Sequence, residues 1–154
     1  MLRPEFTQQL AARLLSGDSI NMQGEHGTGR RQTLDDLISL LPDNVTLLKA
    51  NLRSYPANLS LMADDLSEQA GVNRGRGFEA LLDSVAGEAS QTLIILHNFD
   101  ELQFGEQSGY DATFMQLLNS IPARPNLSLL TVTVSLPEQW QLSITTLPLP
   151  ELNP

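Results

Sequence analysis

The run Thr92-Leu93-Ile94-Ile95-Leu96 constrains the fold of this chain more than any other stretch. It is short, branched and apolar without alternation, the pattern of a strand buried on both faces. Such a strand sits inside a sheet that helices cover on both sides, and sheets of that kind are mostly parallel. Helical spacing of apolar residues marks 6–15 (Phe6, Leu10, Ala11, Leu14), 32–41 (Leu34, Leu37, Ile38, Leu41), 59–70, 78–86 and 112–121. Strand-like stretches lie between them at 19–23, 45–52 and 127–135, with a last one at 142–147. The alternation predicts a three-layer α/β/α domain with a mostly parallel five-stranded sheet. The expected division is a leading helix at 1–18, an α/β core over 19–147 and a Pro-rich tail at 148–154.

Composition narrows the function. With no Cys, the chain has neither a disulfide framework nor a thiolate metal site. No apolar run approaches the ~20 residues of a bilayer crossing, and residues 1–6 lack the apolar core of a signal peptide. A cytoplasmic location is the resulting expectation. Eighteen acidic residues against nine basic ones give a net charge of −9, which argues against a broad nucleic-acid footprint. Four of the nine basic residues nevertheless fall in two pairs, Arg30-Arg31 and Arg74-Arg76. The first pair is a candidate to face a phosphate. The second lies in a Gly-rich break with no strand before it, so a loop between helices is expected there.

The stretch Gly24-Glu25-His26-Gly27-Thr28-Gly29-Arg30-Arg31 follows the first strand and opens a helix. A Gly, four residues and a second Gly in that setting have the layout of a phosphate-cradling loop, whose backbone N–H groups would point inward with a helix N-terminus behind them; a bare strand-to-helix turn is the alternative. The usual Lys and Ser/Thr after the second Gly are here Arg30 and Arg31. About seventy residues later the buried run 93–96 leads into His97-Asn98-Phe99-Asp100-Glu101-Leu102.

This pair of landmarks, with Ser135 at the end of the next strand, resembles the additional-strand P-loop ATPases, and within them the AAA+ and STAND families. The resemblance covers nearly the whole chain. It implies that Arg30 stands for the phosphate-binding Lys and Arg31 for the Mg²⁺-binding hydroxyl. His97 stands for the first Walker B Asp, Asp100 and Glu101 for the acidic pair, and Ser135 for the sensor. Gly24, Gly27, Thr28 and Gly29 complete the implied nucleotide site. Three positions depart from the family pattern. A guanidinium fork does not simply replace an ammonium. Arg31 cannot accept a cation, and His97 is a poor partner for an ion that prefers oxygen. Thr33, two positions beyond the usual hydroxyl, would point roughly 200° away on a helix.

The expectation is therefore a degenerate AAA+/STAND-like domain without a lid. It would take ATP or ADP weakly if at all, without an Mg²⁺ site, and would act as a non-hydrolysing regulatory or structural subunit through a protein partner in a larger complex. Trp140 and the run 147–150 are its candidate contacts. The alternative is a working ATP-binding protein or slow ATPase in which Arg30 clamps phosphate and Asp100 or Glu101 recruits Mg²⁺. A nucleic-acid adaptor using Arg74 and Arg76 is a third, weaker reading. His26 and His97 lack the thiolates and spacing of a metal pair, and no Gly-x-Ser-x-Gly elbow is present.

Overall fold

The computed structural model of the chain describes residues 1–152. Helix α1 (Pro4–Leu15) leads into strand β1 (Ser19–Gln23), followed by α2 (Arg30–Leu40), β2 (Thr46–Asn51), α3 (Leu59–Ala70) and α4 (Phe78–Val85). Then come β3 (Thr92–His97), α5 (Ala112–Asn119), β4 (Leu127–Thr133) and β5 (Thr145–Pro148). Local chemistry sets several ends. Pro4 sits in the first turn of α1, where its missing N–H costs nothing, so the helix starts two residues earlier than its apolar stripe. Asn58 caps α3 by accepting from the Leu61 N–H at 3.1 Å, and Gly71 ends that helix in a left-handed conformation. Asp111 caps α5 through the Phe114 N–H at 3.0 Å.

All five strands are parallel, in the order β2-β3-β4-β1-β5. Strand β4 is thus inserted between β1 and β3. The sheet separates two cores, as a doubly covered sheet must. Leu93 and Ile95 of β3 join α1 and α2 through Leu10, Leu14, Leu34 and Leu37. Ile94 and Leu96 face the other way, onto Met62, Leu66, Leu82 and Phe114 of α3, α4 and α5. The absence of alternation in 92–96 is thereby accounted for: both faces of β3 are covered. No helix of the described residues is long and apolar enough to cross a membrane.

Two expectations at the C-terminal end are corrected. Trp140 is not an exposed contact but 7 % exposed. A 3₁₀ turn at Glu138–Trp140 folds it edge-on against Phe99, with ring centroids 5.6 Å apart, and Phe104 stacks on it at 6.1 Å. Burying so large an apolar surface outweighs leaving it free. The run 147–150 is likewise no loose tail. The last strand begins at Thr145, and Pro148 lies in it, paired with Gln23 of β1. An edge strand tolerates that proline because one side of its backbone needs no partner. Leu149 continues the ladder, donating its N–H to the Gln23 carbonyl at 2.8 Å. The expected tail from 148 onward therefore overlaps the sheet, and its last two residues, 153 and 154, lie outside the described range.

Candidate functional site

The carboxyl ends of β1, β3 and β4 come together at one edge of the sheet, and the Gly24 loop leaves β1 there. In open α/β sheets this end, where strand order reverses, is where ligands bind. The Gly24 N–H donates to the Thr133 carbonyl at 3.0 Å, which ties the start of the loop to β4. Gly24 also packs closely under Leu149: a Cβ there would lie 2.5 Å from Leu149 Cδ1, so that side chain would have to shift. Gly29 has a φ of 82° and turns the chain into α2, a left-handed step that glycine takes without strain. The Thr28 hydroxyl donates back to the Glu25 carbonyl at 2.7 Å. Among the described residues, the backbone N–H groups of Gly27, Thr28, Gly29 and Arg30 meet no acceptor.

Buried Arg3 secures this loop from behind. Its guanidinium donates to the Pro150 carbonyl at 2.8 Å, to Thr33 Oγ1 at 2.9 Å and to the Thr28 carbonyl at 2.9 Å. Thr33 thus faces Arg3 and is fully buried, in keeping with its helical offset from Arg31.

Arg30 is the centre of the site, and it points inward. It is 4 % exposed. Nη1 donates to the Gly24 carbonyl at 3.0 Å, and Nη2 donates to Asn98 Oδ1 at 2.6 Å. Asn98 in turn donates from Nδ2 to Asn51 Oδ1 at 2.9 Å, which also accepts the Arg53 N–H at 3.0 Å. One planar fork therefore stitches the loop to the ends of β3 and β2. Burial lowers the pKa of Arg30, with the nearby Asp100 carboxylate opposing the shift. A guanidinium remains charged regardless.

The three acid and sensor candidates are placed differently. Asp100 lies in a 3₁₀ turn at Phe99–Glu101, and its Oδ2 accepts the N–H groups of Val134 at 2.9 Å and Ser135 at 3.2 Å. Asp100 and Ser135 do meet, but through the serine backbone. Glu101 turns outward and takes Arg53 Nε on both carboxylate oxygens at 2.9 Å. His97 at the end of β3 and Asn98 just beyond it line the cleft with the loop instead. Burial, reinforced by the positive charges of Arg30, Arg31, Arg53 and Lys49, pushes the His97 pKa down to about 4.

A cleft of about 490 Å³ opens beside the loop, between α2 and the ends of β2 and β3. Arg30, Arg31, Lys49 and Arg53 line it, four of the nine basic residues in the chain, with Asp35 as the carboxylate of the lining. Gly27, Gly29, Arg30 and Arg31 were readable as members from the motif. Lys49, Asn51, Arg53 and Asn98 were not, because their approach depends on β2 pairing with β3 so that Asn51 sits opposite His97. Mg²⁺ is a poor fit here. Asp35 is the single carboxylate of the lining, and the oxygens of Asn98 and Asn51 are already spent on Arg30 and on Asn98 and Arg53. Among the described residues, no three His, Asp or Glu groups stand close enough to hold a metal ion. A phosphate suits the same lining of N–H groups and cations.

No family model matches the chain, and no curated protein matches it. Solved structures do. Cdc6p from Pyrobaculum aerophilum is 17% identical with a TM-score of 0.64, over 92% of this chain and 41% of that one. A chain in the structure of Drosophila ORC bound to AT-rich DNA and Cdc6 is 15% identical with a TM-score of 0.65, over 95% and 52%. A chain of Drosophila ORC bound to DNA is 14% identical with a TM-score of 0.62, over 95% and 87%. The chain thus spans about half or less of the first two. At these identities the likeness shows the fold alone: an α/β domain built on a five-stranded parallel sheet in the order β2-β3-β4-β1-β5.

Proposed function

We propose that this domain is a P-loop unit that does not hydrolyse nucleotide and that acts through a protein partner in a larger complex. The observation that carries the reading is the inward fork of Arg30. At the position where a phosphate-binding cation is needed, both guanidinium nitrogens that make hydrogen bonds are committed to Gly24 and Asn98. Its role is to brace the loop. The acids support the same reading, since Asp100 holds two backbone N–H groups and Glu101 holds Arg53. Hydrolysis also needs a metal to gather the phosphate charge, and among the cations and amides that line the cleft Asp35 is the single carboxylate. The solved structures with this fold include assemblies of ORC with Cdc6 and DNA. By analogy alone, a role as one subunit among several follows for this chain.

The uncommitted N–H groups of the loop favour a second reading, in which nucleotide is bound and slowly turned over. Steady-state ATP turnover with saturating Mg²⁺, measured on the wild type, Asp100→Asn and Glu101→Gln, separates the two. The expected outcome is no turnover above the buffer blank in any of them. Wild-type turnover that either substitution abolishes would establish the second reading instead.

A further inference from the structure

We propose that the cleft binds a polyphosphate anion without a metal ion, with Arg31, Lys49 and Arg53 supplying the positive charge that Mg²⁺ supplies in metal-dependent phosphate sites. The proposal rests on the non-hydrolysing reading above and names the ligand class of the same site.

Three observations converge on it. The first is charge. In a chain of net charge −9, four permanent cations line one cleft. Among the described residues, Arg31 and Lys49 have no ion-pair partner there, while Arg53 shares Glu101. Gathering like charges without partners costs folding free energy, and an anion relieves that cost. The second is hydrogen bonding. Gly27 and Gly29 border the cleft, and their N–H groups meet no acceptor among the described residues, so the directional donors for phosphate oxygens lie on the same wall. The third is size, since about 490 Å³ accommodates a small ligand but not a folded partner.

The same geometry sets the sign of the metal effect. A divalent cation brought in with the anion would have to sit among Arg31, Lys49 and Arg53, which repel it, with Asp35 as the single lining carboxylate to offset them. Mg²⁺ would also neutralise the anion before it arrives. Binding is therefore tighter without the metal, the reverse of a metal-dependent site. His97 reports occupancy, because the cations that depress its pKa are the ones an anion would screen.

The test is calorimetric titration of the whole chain at low salt with inorganic tripolyphosphate and with ATP, each in EDTA and in excess Mg²⁺. Both anions are expected to bind in EDTA and to weaken several-fold in Mg²⁺. Arg31→Ala and Lys49→Ala should each weaken binding about tenfold, the scale of one charge-assisted contact, and Arg76→Ala should leave it unchanged. The His97 imidazole, followed by NMR, should titrate well above 4 when the anion is bound. Equal affinity for the two anions assigns the ligand to the polyphosphate chain; tighter ATP assigns it to a nucleotide. An absolute need for Mg²⁺, no heat at millimolar anion, or indifference to Lys49→Ala overturns the proposal. ATP turnover in the same samples speaks to the other reading. Absent binding with no turnover removes this inference alone, whereas turnover removes the non-hydrolysing reading on which it stands.

Discussion

Two stretches of this chain hold the same ingredients, three glycines and two arginines: residues 24–31 and residues 71–77. They do opposite things. The first leaves a central strand, so its arginines meet the ends of β2 and β3, and Arg30 is buried in a chain of hydrogen bonds. The second joins α3 to α4 with no strand beside it. There Arg74, whose side chain is 57% exposed, pairs with Glu68 at 2.7 Å and Asp64 at 3.7 Å on the helix it has just left. Composition is shared; position in the sheet is not. What makes a glycine–arginine stretch a site is the strand that delivers it to the carboxyl edge.

That difference is measurable, and the largest effect belongs to the arginines. Arg30→Ala leaves the Gly24 carbonyl and the Asn98 amide oxygen without their donor in a dry setting. Equilibrium unfolding in urea should show a loss of about 2–4 kcal/mol. Arg74→Ala removes an exposed ion pair and should cost about 0.5 kcal/mol or less. Equal losses would erase the distinction between the two stretches.

The glycines sharpen it further. Gly29 and Gly75 have nearly the same left-handed φ, 82° and 79°. A Cβ on Gly29 would also meet Leu2 Cδ1 at 2.5 Å, whereas one on Gly75 would meet nothing within 4 Å. Both alanine variants bear the left-handed penalty of about 1 kcal/mol, and Gly29→Ala should cost only about 0.5 kcal/mol or less beyond it on the same urea curves, because Leu2 is exposed and can swing aside.

The remaining effect is in pH. His97 has a folded-state pKa of about 4, below the ordinary 6.5 of an unfolded chain, so the unfolded state takes up the proton first. The stability tied to neutral His97 is complete above pH 6.5 and is lost as pH falls from 6.5 through 4. The loss should reach about 1–2 kcal/mol once solvent screening of the partly exposed ring is allowed for. His97→Gln should flatten that part of the stability curve. Arg31→Ala should shrink it by raising the His97 pKa, and Arg74→Ala should leave it as it is.

The sequence disclosed the architecture well because burial writes itself into periodicity. Continuous 92–96 announced a covered central strand, and the apolar stripes announced the helices to within two residues at most ends. The site was half legible. Gly24, Gly27, Gly29, Arg30 and Arg31 follow one another in the chain, and their loop follows a strand. Lys49, Asn51, Arg53 and Asn98 are ordinary residues until β2 lies beside β3, a pairing that no local pattern encodes. The direction of Arg30 was hidden for the same reason, since its acceptor Asn98 is 68 positions away. Trp140 misled because a lone tryptophan outside any helical or strand pattern carries no period from which to read its burial.

The commitment of Arg30 is best tested in one spectrum. Arginine side-chain ¹⁵N NMR of the ligand-free protein reports whether each guanidinium turns freely. Arg30 should show separate, slowly exchanging Nη resonances, and Arg74 a single averaged one, with Arg30 unmoved when Mg·ATP is added. An averaged Arg30 signal that splits only on adding Mg·ATP would mean that the fork is held for a phosphate, and would contradict the account.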